Sequence, residues 1–372
     1  MFLSRFKSLL KSTAQPPQPP ITGSLNARQR ILFILDGVAP TFSISFELPL
    51  KKALINKNTS YIVLTQQDLQ SHSSASFAHI SHYIETYKPT HVIFSRFGGG
   101  FAKELFHLAR KLNAYTIYHI DDDLFSFPED MLDVYKKRHM NTDVLSAREF
   151  LIKNCDMVYA STPILEDVLK KRFQLQRTFS GIYCPFPGVG HALEWNPTKT
   201  LGYMGTKSHM RDLSPLLPLI IDFLTHNSNW QFELFGDLQD VTFPASIKNQ
   251  ILYVPPVRGY ENFRQSLNER RWAVAFAPLQ KDTFNGVKAP TKFIEYTAMG
   301  SVTFATPYGP YLPLIKNHVA YDLDTLSASS LTDILKQHQE LQTKHSEARD
   351  YCQKHFALSQ LEKQLEVVLQ IP

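Results

Sequence analysis

The chain has 372 residues, 43% of them hydrophobic and 20% charged, with a net charge of +5. Such a composition excludes a disordered chain, no apolar run is long enough to span a bilayer, and three scattered cysteines (Cys155, Cys184, Cys352) exclude a disulfide framework or a zinc cluster. The mild positive charge favours anionic partners, but no dense basic run is interleaved with aromatics, so nucleic acid is not an expected partner.

Residues 1–29 stand apart. "MFLSRFKSLLKS" places Phe2, Leu3, Phe6, Leu9 and Leu10 on one helical face beside Arg5, Lys7 and Lys11. It reads either as a basic amphipathic helix touching a membrane surface or as a frayed tail. "AQPPQPP" (14–20) follows as a stiff spacer. With no secretory core and unpaired thiols, the expected location is the cytoplasm, peripheral on the membrane if the tail docks there.

From residue 30 to 185, short β-rich runs alternate with helical segments. The strands expected are "ILFIL" (31–35), "YIVL" (61–64), "HVIFS" (91–95), "YTIYHI" (115–120) and "MVYAS" (157–161), with helices over 100–113 and 144–154. Continuous apolar runs between helices predict a parallel sheet covered on both faces. His79, His82 and Glu85 share a helical face, but three such residues without further support read as an ordinary surface rather than a metal site.

A Pro- and Gly-rich linker (186–199) separates a second series over 200–350. Its strands are "LGYM" (201–204), "QFELF" (231–235), "ILYV" (251–254), "AVAFAP" (273–278) and "VTFAT" (302–306), with helices over 210–225, 259–269 and 290–299. The stretch 328–369 is nearly all helical in pattern, and 351–372 is a closing helix able to cross back to the first domain. The fold class is therefore α/β: two Rossmann-like, doubly wound domains facing across a cleft. Ligands of such sheets bind at the carboxyl ends of strands, so the loops after strands are informative.

Four of those loops carry charge. "MGTKSHMRDL" (204–213) leads from Gly205 through Thr206, Lys207 and His209 into a helix, with Arg211 one turn in, and reads as an anion site at a helix start or as a plain capped turn. "FNGVKAPTKFIEYTAMG" (284–300) holds Lys288, and Lys292 and Glu295 on one helical face, between Pro290 as the start and Gly300 as the stop. A covered Lys–Glu pair is costly without a ligand. A carboxylate that accepts from a ribose diol and lysines that donate to a diphosphate give both charges a task. "SRFGGGF" (95–101) puts Arg96, Gly98 and Gly99 after a strand, either as a ligand-approaching loop or as a mobile one. "IDDDLF" (120–125) supplies Asp121, Asp122 and Asp123. Consecutive side chains diverge, so one is expected to cap a turn, one to face the cleft and one to be solvated.

"LGYMGTKSHMRDL", "FELFGDL" and "APLQKDTFNGVKAPTKFIEYTAMGSVTFATPYGPY" together resemble the donor half of bacterial GT-B glycosyltransferases, GT4-like enzymes of surface-polysaccharide clusters; "YHIDDDLFSFP" and "CDMVYASTP" resemble their acceptor half. The resemblance spans about residues 30–360 and implies a nucleotide-sugar donor and a glycan or lipid-linked glycan acceptor. Glu295 would hold the ribose. Lys288 and Lys292 would lie near the diphosphate, and Gly205, Thr206 and Lys207 would form the loop that closes on the phosphates, with His209 and Arg211 also on the donor side. The family's usual basic pair on the phosphates is not reproduced, and Lys288 with Lys207 or Arg211 would stand in for it. Asn285 would approach the donor sugar. Asp122 would take the acceptor proton or face the sugar, with Lys288 meeting leaving-group charge; Arg96, Gly98, Gly99, Asp121 and Asp123 would lie on the acceptor side. Retention of configuration and absence of a metal or other cofactor are implied too. Many GT4 enzymes carry a further glutamate eight positions before the ribose one; here that position is Val287. Three rivals stand beside this reading: a GT-B-shaped nucleotide-sugar epimerase, a non-catalytic partner subunit, and a metal-dependent transferase using Asp121–Asp123.

Overall fold

The computed structural model of the protein describes residues 20–55, 58–70, 74–187 and 192–370. The amphipathic or frayed segment expected at the N-terminus lies outside them. Among the described residues thirteen strands form two sheets. The first holds β1 (Thr22–Gly23), β2 (Gln29–Leu35), β3 (Thr59–Thr65), β4 (His91–Ser95), β5 (Tyr115–Ile120), β6 (Met157–Ala160) and β7 (Thr178–Ser180), in the order β1-β3-β2-β4-β5-β6-β7. Only β1 pairs antiparallel. The second holds β8 (Thr200–Gly205), β9 (Gln231–Gly236), β10 (Ile251–Val254), β11 (Val274–Ala277), β12 (Val302–Ala305) and β13 (Tyr321–Asp322), in the order β10-β9-β8-β11-β12-β13, all parallel.

The parallel arrangement follows from the unbroken apolar runs. All five residues of Ile31–Leu35 and all four of Val274–Ala277 are buried, which requires helices on both faces. One face of the first sheet carries a cluster with Leu32, Ile34, Val92 and Tyr118; the other carries Ile31, Phe33, Ile93 and Ile117. The second sheet divides in the same way, with Leu201, Tyr203 and Phe276 on one side and Met204, Ala275 and Ala277 on the other.

Helices form close to the expected segments. Ala102–Lys111 and Thr142–Asn154 flank the first sheet, and the Asn141 carboxamide caps the latter by accepting from the Asp143 and Val144 amides. The helix expected over 210–225 keeps a helical backbone throughout but tightens to a 3-10 turn at Ser214–Leu216, between Met210–Leu213 and Leu217–His226, because Pro215 and Pro218 cannot donate to a continuous α ladder. Tyr260–Asn268 and Thr291–Ala298 follow β10 and β11. Gly300 stops the latter at φ +87°, and a Cβ there would meet the Glu194 carbonyl at 2.7 Å. Ala328–Lys336, His338–His355 and Leu358–Val368 close the chain. No helix of the described residues is long and apolar enough to cross a membrane.

Candidate active site

In each sheet the strand order reverses at one point, between β2 and β4 in the first and between β8 and β11 in the second. Chain leaving the carboxyl ends of strands at such a point diverges and opens a crevice. Here the two crevices face each other. The cavity between them, of about 400 Å³, is lined by Gly205, Thr206, His209, Lys288, Lys292 and Glu295 from the second lobe and by Pro40, Ile44, Asp121 and Asp122 from the first. A chamber of about 130 Å³ adjoins it, sharing Asp122, His209 and Lys288, with Arg96, Phe127, Arg211 and Asn285 in its wall.

The loop after β8 is shaped by two glycines. Gly236 ends β9 at φ +125°, and a Cβ on it would sit 2.0 Å from the Gly205 carbonyl oxygen. The turn Lys207–His209 then enters only the four-residue Met210–Leu213 helix. The expected anion-binding helix start is therefore short, with few aligned peptide dipoles. His209 faces both chambers. Its Nδ1 lies 3.3 Å from Asp212 Oδ2. The neighbouring Lys292 ammonium, then burial and Lys288, push the imidazole down to about 4 against the pull of Asp212. Arg211 spans the lobes, bonding Asp282 at 2.6 Å and Asp130 at 3.0 Å. Lys207 is corrected: its ammonium turns outward to Asp240 at 2.8 Å and lines neither chamber, because the tight turn points successive side chains apart.

Asp212 is a site residue that sequence reasoning missed. Buried beneath the loop, its Oδ1 accepts from the Gln280 amide at 2.9 Å and from Asn285 Nδ2 at 3.1 Å. It thus joins the loop after β8 to the loop after β11. The spacing of His209 and Asp212, three apart, was the one available signal. Asn285 lies in the wall of the small chamber, but its amide nitrogen is taken by Asp212 and the Gln280 carbonyl.

Lys292 and Glu295 lie on one face of Thr291–Ala298, as their spacing requires, yet no ion pair forms between them. The Lys292 ammonium sits 5.5 Å from the Tyr203 ring centroid. Burial pushes it down to about 8, with Lys288 adding and Asp212 opposing. Burial pushes the Glu295 carboxyl up to about 7, against Tyr260, Arg264 and Lys292. Both groups therefore hold charge at a cost that a ligand of complementary chemistry would offset. Lys288 packs 4.5 Å over Phe284 and reaches Asp122 Oδ1 at 3.8 Å across the cleft.

The three aspartates after β5 part company. Asp121 is enclosed by Arg96 Nη1 at 2.9 Å, Thr41 Oγ1 at 2.7 Å and the Tyr183 hydroxyl at 3.1 Å. Burial disfavours its charge, but Arg96, His119 and these donors hold the carboxyl below its ordinary value. Asp122 faces both chambers between Arg96, at 3.7 Å, and Lys288. Asp123 turns the other way. It is buried in a two-pronged contact with Arg172 at 2.6 and 2.8 Å and accepts from the Phe125 amide, so it is a turn cap and not a cleft residue. None of the three is freely solvated. Gly98 and Gly99 are also corrected. A Cβ on Gly98 would strike Val144 and Arg148, and one on Gly99 would strike Gln66, so these glycines permit close packing inside the first lobe and touch neither chamber. Arg96, at φ +56°, does reach the small chamber.

Among the described residues no group of three or more His, Cys, Asp or Glu is placed to hold a metal ion. Glu85 instead pairs with Lys111 at 2.8 Å.

No protein-family model matches the chain, and no curated protein matches it in sequence. Solved structures do match in shape. A point mutant of S. aureus TarM, in complex with fondaparinux, alpha-GlcNAc-glycerol and UDP, superposes with a TM-score of 0.57 at 13% identity, over 79% of this chain and 59% of TarM. The chain thus spans about three fifths of TarM's length. The apo structure of OtsA gives a TM-score of 0.58 at 11% identity, over 92% of this chain and 99% of OtsA. An E. coli structure described as trehalose-6-phosphate bound with UDP-2-fluoro glucose gives 0.56 at 10% identity, over 92% and 99%. The fold shared with these structures is GT-B.

Proposed function

We propose that the cleft binds a nucleoside-diphosphate sugar against the second lobe and transfers the sugar to a glycan acceptor held against the first. The observation that carries this is the presence of Glu295, Lys292 and Lys288 together on one wall of a cavity at the strand reversal of a doubly wound sheet. Glu295 accepts from the ribose hydroxyls. Lys288 and Lys292 donate to the diphosphate, with Gly205 and Thr206 giving backbone access. Breaking the sugar–phosphate bond leaves negative charge on the leaving group, and lysines fixed before reaction stabilise it, which is the role a divalent ion would otherwise fill. Asp122, at the junction of the two chambers, accepts the acceptor proton or faces the reacting sugar. Three neighbours of like fold support the reading by what their structures hold: UDP in one, UDP-2-fluoro glucose in another, UDP with GlcNAc in a pneumococcal O-GlcNAc transferase. A GT4-like, retaining enzyme of cell-surface polysaccharide synthesis, working at the cytoplasmic membrane face on a lipid-linked glycan, is the fuller form of the proposal and rests on the sequence resemblance.

Calorimetry with UDP and with a panel of nucleotide sugars tests it. Glu295→Ala is expected to weaken nucleotide binding by about 1.5–3 kcal/mol, the range for hydrogen bonds to a charged group, while the fold survives. Lys288→Ala is expected to lower turnover more than binding. Unchanged nucleotide affinity in the first variant would remove the ribose assignment, and unchanged turnover in the second would remove Lys288 from the chemistry.

A further inference from the structure

Val287 belongs to the second lobe by sequence, yet its buried side chain joins the hydrophobic cluster of the first lobe that contains Leu124 and Leu165. Its carbonyl accepts from Thr162 Oγ1 at 2.7 Å, a buried hydrogen bond across 125 residues. Thr162 follows β6 and at the same time caps the Pro163–Phe173 helix by accepting from the Leu165 amide. The segment between Asp282 and Lys288 is internally tied by the Asn285 amide on Asp282 and by the Lys288 amide on the Asn285 carbonyl, so it forms one braced unit. Phe284 in that unit meets Phe127 of the first lobe with ring centroids 5.1 Å apart.

We propose that Thr162 and Val287 latch the 282–288 segment onto the first lobe, and that Thr162 is a positioning residue which sets Lys288 opposite Asp122. The apolar side chain at position 287 enters the neighbouring lobe's core, and the threonine hydroxyl fixes the backbone one residue before the lysine. Arg211 on Asp282 and Asp212 on Asn285 seat the segment on its own lobe; the Val287 plug carries no direction, so the Thr162 bond is what orients the segment's backbone against the first lobe. The positioning role rests on the sugar-transfer reading above, whereas the latch does not.

Hydrogen exchange of the 284–288 amides and steady-state nucleotide release from a panel of nucleoside-diphosphate hexoses, each offered with a panel of glycan acceptors, are compared in the parent, Thr162→Val, Thr162→Ser and Val287→Ala. Thr162→Val is expected to speed exchange in 284–288 and to lower kcat, each about tenfold, the scale of one lost buried hydrogen bond. UDP affinity, measured by calorimetry, stays within about twofold of the parent on the same scale. Thr162→Ser keeps the donor and restores both values. Val287→Ala, which leaves the helix cap intact, speeds exchange in the same amides. Faster exchange in Pro163–Phe173 alone would make Thr162 only a cap and overturn the latch, as would unchanged exchange in both Thr162→Val and Val287→Ala. Faster exchange in 284–288 with unaltered kcat would overturn the positioning role. A parent that turns over no donor would sink the transfer reading, while exchange still decides the latch.

Discussion

Glu295 and Lys292 concentrate the electrostatics of the cleft, and their titration gives a test that needs no substrate. The Glu295 carboxyl is raised from 4.5 to about 7. Between these values the unfolded chain has lost the proton and the folded chain keeps it, so stability falls as pH rises through that window and levels off above it. The Lys292 ammonium is lowered from 10.5 to about 8, so its contribution is complete above 10.5 and is lost as pH falls towards 8. Glu295→Gln is therefore expected to flatten the decline between pH 5 and 7 and to be more stable than the parent at pH 7.5 by up to ~3 kcal/mol, at one pH unit per ~1.4 kcal/mol. Urea unfolding at several pH values measures it; parallel curves for parent and variant would mean that the carboxyl is not strained by its burial. The same residues mark what the sequence could and could not convey. Helical spacing plus a post-strand position were enough to bring Glu295, Lys292 and Lys288 to one wall. The direction of a side chain inside a turn was not readable. "DDD" contains no local feature that sends Asp123 to Arg172 and Asp122 to the cleft, since Arg172 lies 49 residues away. Asp212 was hidden for a related reason: its partners Gln280 and Asn285 come from a different loop.

The elements themselves were more legible than the contacts between them. All ten strands expected from apolar runs are present; strands buried on both faces must be apolar throughout, whereas β10, at a sheet edge with Tyr253 exposed, shows the same run without that cover. The three unanticipated strands, β1, β7 and β13, are edge strands of two or three residues, too short for periodicity to register. Prolines also had more effect than the apolar pattern suggested, tightening 210–225 to a 3-10 turn around Pro215 and Pro218. Gly300 was read correctly as a stop, and the reason is conformational: at φ +87° an L side chain is strained, and its Cβ would come within 2.7 Å of the Glu194 carbonyl oxygen. Gly300→Ala is thus expected to destabilise the protein by about 1–3 kcal/mol, the cost of holding a non-glycine residue in a sparsely populated backbone region. The effect should appear as a lowered urea midpoint with an unchanged slope. Stability equal to the parent would show that the helix end relaxes freely, and with it the seat of Glu295 one turn earlier.

At the scale of the whole molecule, the order of lobes along the chain differs from the order of packing. Leu358–Val368 follows the second lobe in sequence but packs on the Leu48–Ile55 helix, and it buries Leu365, Val368 and Leu369 among Ile31, Phe33 and Ile117 of the first sheet. The crossing is pinned by backbone as well. The Phe186 amide donates to the Phe356 carbonyl at 2.6 Å, Phe186 and Ala357 form an isolated parallel bridge, and Gln364 bonds the Ile182 amide at 2.8 Å and its carbonyl at 3.0 Å. The helix and the linker together form a double strap, so the first lobe's outer face is completed by residues that emerge last. Truncation after Ala357 is expected to bare that face and to uncouple the lobes, turning one cooperative thermal transition into two, with the first lobe melting lower. Leu365→Ala is the milder form, expected to cost about 2–5 kcal/mol as a buried leucine cavity. Scanning calorimetry decides between outcomes, because a calorimetric enthalpy exceeding the van't Hoff value marks independent units. A truncated chain that still melted in a single transition at the parent temperature would mean that the cleft contacts alone, Thr162 on Val287 and Arg211 on Asp130, suffice to hold the lobes as one cooperative body.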